Sequence, residues 1–349
     1  METLNNVVLT IQNYMSNYVL IIALLGAGLW FSFRLGFIQV RGFGEGMRRT
    51  FGGLFSKKGE AGADGMSSFQ ALATAIAAQV GTGNIAGAAT ALAIGGPGAI
   101  FWMWIAAFLG MATIYAEAIM AQKYKTVGAD GQVTGGPVYY IRAAFKGTFG
   151  KVLAGIFAIL ITLALGFMGN AVQSNSIAAS FHTAFGIPQW IMGLVVAVIA
   201  IFVFMGGMKR IAKVTETIVP FMAALYIIGS LIVIIYNYKN IPYAFASIFI
   251  GAFSPSSVVG GAAGATVKLA LTKGVARGLF SNEAGMGSTP HAHAVAKVDH
   301  PVEQGFVAII GVFIDTFVIL NLTALVIITT QSIPTGLTGT ALSQYAFSS

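Results

Sequence analysis

Long apolar segments alternate with shorter polar ones along almost the whole chain. Eight of the apolar segments reach or approach the roughly 20 residues that a helix needs to cross a bilayer. They lack the strict alternation of apolar and polar residues that marks a strand, and their lengths are helical. The pattern therefore predicts eight membrane-spanning helices, at residues 17–40, 66–94, 99–121, 151–181, 187–205, 214–236, 255–280 and 305–328.

The composition agrees with an all-α, multi-pass membrane protein. Of the 349 residues, 56% are hydrophobic and 9% are charged, whereas a soluble domain has about 45–50% apolar and about 25% charged residues. There are 44 glycines, and glycine is more frequent in membrane helices than in soluble ones. The chain has no cysteine, so disulfides and thiol chemistry are excluded. A soluble enzyme and a disordered chain are excluded by the same numbers.

The basic residues are concentrated on one side of the predicted helices. Seventeen of the 19 Lys and Arg residues lie after the first, third and fifth segments or around the end of the seventh. Lys239 lies in a loop on the opposite side, and Lys268 lies within the seventh segment. Because basic loops stay in the cytoplasm, both termini of the chain are predicted to lie outside the cell. The net charge of +8 thus indicates topology rather than nucleic-acid binding.

The second segment contains residues that an uninterrupted membrane helix avoids. Gln79, Gly81, Thr82, Gly83 and Asn84 lie together near its middle. Glycine costs a helix interior about 1 kcal/mol relative to alanine, and unsatisfied backbone groups in hydrocarbon cost several kcal/mol each. A broken helix is tolerated where the freed groups line a cavity and bind a solute or ion. Close helix packing through small residues is the alternative, although it does not explain the two amides.

A second interrupted helix is expected in the seventh segment. Gly260, Gly261 and Gly264 fall near its start, where the sequence is compatible with either packing or unwinding. Because Lys268 lies near the middle of this segment, the alternative is a helix that begins later and breaks at 278–282. Fifteen basic residues then remain on the inner side. Glycine-interrupted segments at matching places in two halves of a chain indicate an inverted-repeat transporter.

Two facing helix breaks suit a zwitterion together with a cation. The N-terminus of a half-helix presents free N–H groups and the positive end of the helix dipole, which favour a carboxylate. The C-terminus presents free carbonyls, which favour an ammonium group or Na⁺. A small amino acid and a cation have this distribution of charge.

Other polar residues within the segments are candidates for the same site. Asn170 and Gln173 share a helix face, with Phe167 one turn earlier, and they either face a substrate or hydrogen-bond between helices. Asp315 is ionisable and lies about ten residues into the last segment, which makes it a functional candidate. Glu117 lies nearer a helix end, where pairing with a loop base is expected. The sequence shows no nucleophile–base set, phosphate-binding loop or zinc spacing, so an enzyme is not indicated.

Four separated motifs resemble the alanine or glycine:cation symporter family, also called the sodium:alanine symporters. They are GTGNIAG at 81–87, GGPGAIFWMW at 95–104, GGP at 135–137 with two tyrosines after it, and FSNEAGMGS at 280–288. The tripeptide at 299–301, Asp-His-Pro, is also in keeping with this family. The resemblance covers essentially the whole chain.

The resemblance implies a fold and a function. The family belongs to the amino acid–polyamine–organocation superfamily, whose core is two inverted five-helix repeats of the leucine-transporter type. We therefore expect a single transmembrane transporter domain over 1–349, with an extra helix at about 17–40, a first repeat at about 66–236 and a partial second repeat at about 255–349. The implied activity is sodium-coupled symport of alanine or glycine into the cell by alternating access. Na⁺ is the coupling ion, and no organic cofactor is implied.

The resemblance also implies roles for particular residues, because the broken first core helix of the superfamily contacts both substrate and sodium. The substrate contacts implied for that helix are Gln79, Thr82 and Gly83. From the second repeat, the substrate contacts are either Gly260, Gly261 and Gly264 or the later Phe280 and Ser281. The sodium contacts implied are the carbonyls of Ala77 and Val80, with Asn84 near a possible second ion. The candidates chosen from the pattern alone, Phe167, Asn170 and Gln173, complete the set.

The family pattern has eleven helices, whereas this chain has eight predicted segments. The three others include the eighth core helix, which completes the sodium site in the superfamily. We therefore expect a C-terminally incomplete fragment or truncated form that does not transport alone. Two alternatives to sodium symport are a proton-coupled amino acid transporter, with Asp315 or Glu117 as the proton carrier, and a membrane scaffold or sensor that does not transport.

Overall fold

The computed structural model describes residues 2–52, 67–128, 131–254 and 267–349 of the chain. Most of these residues form helices. Five helices in the described part are long and apolar enough to cross a membrane, namely Asn5–Arg34, Gly98–Lys123, Gly147–Phe185, Gly207–Tyr236 and Pro301–Thr329. The structure therefore agrees with the predicted all-α, multi-pass class.

The first part of the chain contains two long helices and one interrupted helix. Its elements are α1 (Glu2–Tyr14), a π-helical turn (Met15–Val19), α2 (Leu20–Arg34), α3 (Ile38–Arg41), α4 (Phe43–Phe51), α5 (Ser68–Gln79), a π-helical turn (Gly83–Gly87), α6 (Ala88–Gly95) and α7 (Gly98–Lys123). The predicted first segment, 17–40, extends too far at its C-terminal end. The long helix ends at Arg34, and Phe37 adopts a φ of 53°, a left-handed conformation that interrupts a helix.

The middle of the chain is a short hairpin followed by long helices. Its elements are β1 (Thr126–Val127), β2 (Val133–Thr134), α8 (Pro137–Ala144), α9 (Gly147–Ile161), a π-helical turn (Thr162–Gly169), α10 (Asn170–Phe185), α11 (Gln189–Phe204) and α12 (Gly207–Tyr236). The strands are antiparallel, with Thr126 opposite Thr134 and Val127 opposite Val133. The predicted segments at 151–181, 187–205 and 214–236 match these helices to within a few residues at most ends.

The last part of the chain contains a helix that the apolar pattern missed. Its elements are a 3₁₀ turn (Tyr238–Asn240), α13 (Ile241–Phe253), α14 (Val267–Asn282), α15 (Pro290–Val295), α16 (Pro301–Val312), a π-helical turn (Phe313–Leu320), α17 (Asn321–Thr329), a 3₁₀ turn (Ile333–Thr335) and α18 (Gly339–Ser348). At 13 residues, α13 is too short to satisfy a criterion of about 20 residues.

α7 lies at the centre of the packed helices, with α2, α14 and α16 against it. Ile100, Met103 and Ile114 of α7 are completely buried. Two glycines of α14 permit its close approach, because an added Cβ at Gly274 or Gly278 would contact the α7 main chain. Small residues at helix interfaces are how membrane helices pack without a hydrophobic driving force.

The helices α9 to α12 present large apolar side chains outward. Ile159, Phe202 and Ile232 are each more than half exposed. In water such a surface favours association, whereas in a bilayer it contacts acyl chains. The outward apolar surface is therefore a second observation that places these helices in a membrane.

Side-chain amides of α7 and α16 hold the segment around α15 in place. Gln122 donates from Nε2 to the carbonyl of Ala296 over 2.8 Å, and Gln304 donates from Nε2 to Nδ1 of His293 over 2.8 Å. Burial lowers the pKa of His293 to about 4, so its ring is neutral at physiological pH and Nδ1 can accept. These bonds fix the segment that follows α14.

Gly98, at the start of α7, lies directly against the main chain of Gly251 in α13. We expect Gly98→Ala to force these helices apart and to destabilise the protein by about 1–3 kcal/mol, the usual cost of overpacking. The thermal unfolding midpoint in detergent measures the effect. The matched control is Gly193→Ala in α11, where an added Cβ meets no atom within 4 Å. Equal midpoints for the two variants would contradict the assigned packing.

Candidate functional site

The helix break predicted in the second segment is confirmed. α5 ends at Gln79, Val80 has an extended backbone (φ −82°, ψ 97°), and the π-helical turn begins at Gly83. Two side-chain amides accept hydrogen bonds from the opened backbone. Gly81 N–H donates to Oδ1 of Asn84 over 3.0 Å, and Thr82 N–H donates to Oε1 of Gln173 over 3.3 Å. The amides thus meet the requirement that backbone groups at membrane depth be satisfied.

A second interruption follows α14. The helix ends at Asn282, and Glu283, Gly285 and Gly287 all have positive φ angles, of 56°, 86° and 79°. The interruption therefore lies just beyond the later of the two predicted positions, 278–282.

The earlier position rests on three glycines that lie outside the described residues. They are Gly260, Gly261 and Gly264. Their predicted role in substrate binding stays a prediction.

The two interruptions contact each other. Gln79 donates from Nε2 to the carbonyl of Asn282 over 2.7 Å, which satisfies an acceptor that the end of α14 leaves open. Gly83 lies against Ser281, because a Cβ built at Gly83 would be 3.0 Å from the Cα of Ser281. The ends of two helices some 200 residues apart in sequence therefore meet at one point.

A cavity of about 250 Å³ lies between these interruptions and the junction of α9 with α10. Five of the predicted substrate residues line it, namely Gln79, Thr82, Gly83, Gln173 and Phe280. Ser281 does not line the cavity and instead contacts Gly83 and Asp315. The structure thus brings most of the described candidates into one small space.

Phe167 and Asn170 are not among the residues that line this cavity. Phe167 is 67% exposed, and Asn170 donates to the carbonyl of Gly166 in its own helix over 2.9 Å. The residues of this region that line the cavity include Leu165, Met168, Gly169, Val172 and Gln173. Their spacing of three and four residues marks one helix face, and Phe167 and Asn170 lie outside that face.

Glu283 also lines the cavity, and the sequence pattern did not single it out as a site residue. Its side chain is 7% exposed, and Oε2 accepts a hydrogen bond from the hydroxyl of Ser288. In the sequence it is indistinguishable from a helix-cap residue. Its position in the motif at 280–288, directly after the break, is the signal that could have identified it.

Asp315 is completely buried where the two interruptions meet. Its carboxylate accepts from Nδ2 of Asn84 over 2.7 Å, from the hydroxyl of Ser281 over 3.2 Å and from the hydroxyl of Thr316 over 2.9 Å. Within the described ranges, Asp315 forms no ion pair with a basic side chain. A buried charge without a partner is costly, and oxygen ligands suit a hard cation. The carboxylate therefore fits a cation at this position.

The sodium contacts implied for the main chain lie at the same break. Gly81 N–H bonds to Asn84 rather than to the carbonyl of Ala77, so that carbonyl loses its helical partner. Val80 is the first residue after α5.

Glu117, which was expected to pair with a loop base, instead accepts a hydrogen bond from Gly285 N–H over 2.9 Å. It therefore holds the segment after α14 rather than a loop base.

Comparison with known proteins shows the family to which the chain belongs. The whole chain, residues 1–349, matches the sodium:alanine symporter family. The chain belongs to the sodium:alanine symporter family. Family membership identifies it as a transporter of the sodium-coupled amino acid symport class.

Three relatives illustrate the range of this family. The sodium/alanine symporter AgcS of Methanococcus maripaludis is 43% identical over 97% of the chain and 74% of the relative. The probable sodium/glutamine symporter GlnT of Bacillus subtilis is 43% identical over 100% and 70%. The putative sodium/proton-dependent alanine carrier protein YrbD of Bacillus subtilis is 46% identical over 88% and 60%.

The contact between Gly83 and Ser281 yields a test of whether alanine binds at this junction in the sodium:alanine symporter. We expect Gly83→Ala to displace Ser281 and weaken alanine binding at least tenfold, which corresponds to about 1.4 kcal/mol. Binding is measured by titration of the purified protein with alanine in sodium buffer. The control is Gly87→Ala in the same turn, where an added Cβ would lie 3.6 Å from the nearest atom, an ordinary contact. Unchanged affinity in Gly83→Ala would mean that alanine does not bind at this junction.

Proposed function

We propose that this symporter carries a small neutral amino acid, alanine or glycine, into the cell together with Na⁺ by alternating access. The observation that carries the proposal is the cavity at the junction of two interrupted helices. At about 250 Å³ it is smaller than the roughly 300–1,000 Å³ of sites for drug-sized ligands. A volume of this size suits a substrate with a short side chain.

The polar groups around the cavity match the two charges of an amino acid. The helix Gly83–Gly95 places its N-terminus at the cavity, and the positive end of its dipole favours a carboxylate. Glu283 also lines the cavity, and its carboxylate favours an ammonium group. Gln79, Thr82, Gly83, Gln173 and Phe280 are proposed to contact the substrate between these ends.

We assign the coupling Na⁺ to the buried group around Asp315. Asn84 and Ser281 both bond to this carboxylate, and the carbonyls of Ala77 and Val80 at the nearby break are proposed to supply further oxygen ligands. Ser281 also touches Gly83 at the edge of the cavity. A cation here would therefore stabilise the same contact that shapes the substrate cavity, which supports coupling between the two ligands.

The proposal includes the two-repeat architecture. The helix interrupted after α5 opens the first repeat, at about 66–236. The helix interrupted after α14 belongs to the partial second repeat, at about 255–349. We propose that these are inverted repeats within a single domain over 1–349, and that the helix at Asn5–Arg34 is the extra helix before the first repeat. The distribution of basic residues supports an orientation with both termini outside.

A thermal-shift panel tests the substrate and the coupling together. Binding stabilises the folded protein by RT ln(1 + [L]/Kd), and coupling makes each ligand enhance the shift produced by the other. We expect alanine and glycine to raise the unfolding midpoint with Na⁺ present, and glutamine to have little effect because of the small cavity. A larger shift with glutamine, or equal alanine shifts in Na⁺ and in choline, would overturn the proposal.

A substitution at Asp315 tests the cation site. We expect Asp315→Asn to weaken the apparent Na⁺ affinity at least tenfold, because it removes the buried charge of the proposed site while keeping the shape of the side chain. Na⁺ titrations of alanine binding provide the measurement. Glu216→Gln is the control, since it removes the same charge from a side chain that bonds to Gln70 instead.

The same titrations distinguish sodium from proton coupling. If Asp315 carries a proton, alanine binding in sodium-free buffer will depend on pH in the wild type and become independent of pH in Asp315→Asn. A wild type that binds alanine without Na⁺ in this pH-dependent manner would replace sodium coupling with proton coupling.

A further inference from the structure

A second cavity, of about 590 Å³, lies between the N-terminal helix and α14. It is more than twice the volume of the cavity proposed for the substrate. One wall belongs to Asn5–Arg34, a helix long and apolar enough to cross a membrane, so we expect the cavity to border lipid.

The cavity has a polar end and an apolar end. Lys268 Nζ donates to the Tyr18 hydroxyl over 3.2 Å, and Gly285 lies against Leu24. The two helices therefore run side by side in the same direction. Gln12, Asn13 and Ser16 lie toward one end, and Leu24, Phe280 and Met286 lie toward the other.

Two basic side chains line this cavity without a partner. Lys273 and Arg277 lie one turn apart on α14, and in the part of the chain that the structure describes neither forms a hydrogen bond or an ion pair. None of the described residues that line the wall is acidic. Lys273 is half-buried and Arg277 is exposed, and two bases without a partner beside an apolar groove between membrane helices suit a negatively charged ligand.

We propose that this cleft binds a phospholipid with an anionic headgroup. Lys273 and Arg277 hold the phosphate, the polar side chains at Gln12 and Ser16 contact the headgroup, and an acyl chain lies along Leu24 and the neighbouring apolar wall. Basic pockets between membrane helices are suited to such headgroups. Long basic side chains can also extend toward the polar end while their methylene groups remain in the apolar part.

The position of the cleft links this lipid to the substrate cavity. Phe280 and Met286 line both spaces, so an acyl chain in the cleft contacts the other side of the wall that the amino acid contacts. Lipid occupancy restricts Phe280 and thereby changes the affinity for alanine. This consequence rests on the proposed function, whereas the lipid site itself does not.

The test uses the purified protein in uncharged detergent with added phosphatidylglycerol, phosphatidylcholine or glycerol 3-phosphate. Native mass spectrometry detects bound lipid, and the thermal unfolding midpoint measures stabilisation. We expect phosphatidylglycerol to bind at least tenfold more tightly than phosphatidylcholine. We also expect the combined variant Lys273→Gln, Arg277→Gln to remove this preference.

The control carries the same change of charge elsewhere. Lys146→Gln with Lys151→Gln alters two exposed lysines that do not line the cleft, and we expect it to retain the preference. If the Lys273 and Arg277 variant does not fold, Ser16→Trp blocks the polar end from the other helix and should also abolish binding of phosphatidylglycerol.

Three outcomes would overturn the lipid site. They are equal binding of the two lipids, retention of the preference in both cleft variants, and stabilisation by glycerol 3-phosphate equal to that by phosphatidylglycerol, which would indicate a small-anion site. Alanine titrations with and without phosphatidylglycerol then test the link through Phe280. A protein that binds the lipid but never alanine would contradict the proposed function and leave the lipid site standing.

Discussion

The hydrogen bond from Gln79 to the carbonyl of Asn282 joins the two points at which helices of this protein are interrupted. An opened backbone in an apolar bundle is unfavourable unless each N–H and C=O group finds a partner. Here the partners are amide side chains, since Asn84 and Gln173 accept from the opened backbone beside Gln79. The cavity exists because these few bonds allow two helices to stop at the same depth.

The buried carboxylate of Asp315 extends this constraint to charge. It accepts from Asn84 on one interrupted helix and from Ser281 on the other, so it connects both breaks. No basic partner balances it within the described residues, which makes a mobile cation the natural counter-charge. Because Ser281 also packs against Gly83, the same few contacts shape the cavity proposed for the amino acid and the position proposed for Na⁺.

The wall formed by Phe280 and Met286 separates two spaces of different character. The smaller cavity is lined by groups that suit the two charges of an amino acid. The larger cavity is lined by an apolar groove and by Lys273 and Arg277, which have no partner among the described residues. Both spaces depend on α14 ending where it does, since the residues after Asn282 turn away with positive φ angles. The proposed lipid and the proposed substrate would therefore contact opposite sides of the same residues, Phe280 and Met286.

The sequence by itself determined the membrane class, the approximate helices and the first break, because segment length, apolar content and clustered glycines with amides are local properties. It also singled out Asp315. Only the tertiary structure decided which residues meet. Phe167 and Asn170 do not lie on the helix face that lines the cavity, and Glu283 lines it from a left-handed backbone position just after α14. Such outcomes depend on contacts between residues far apart in sequence, whose geometry no local pattern contains.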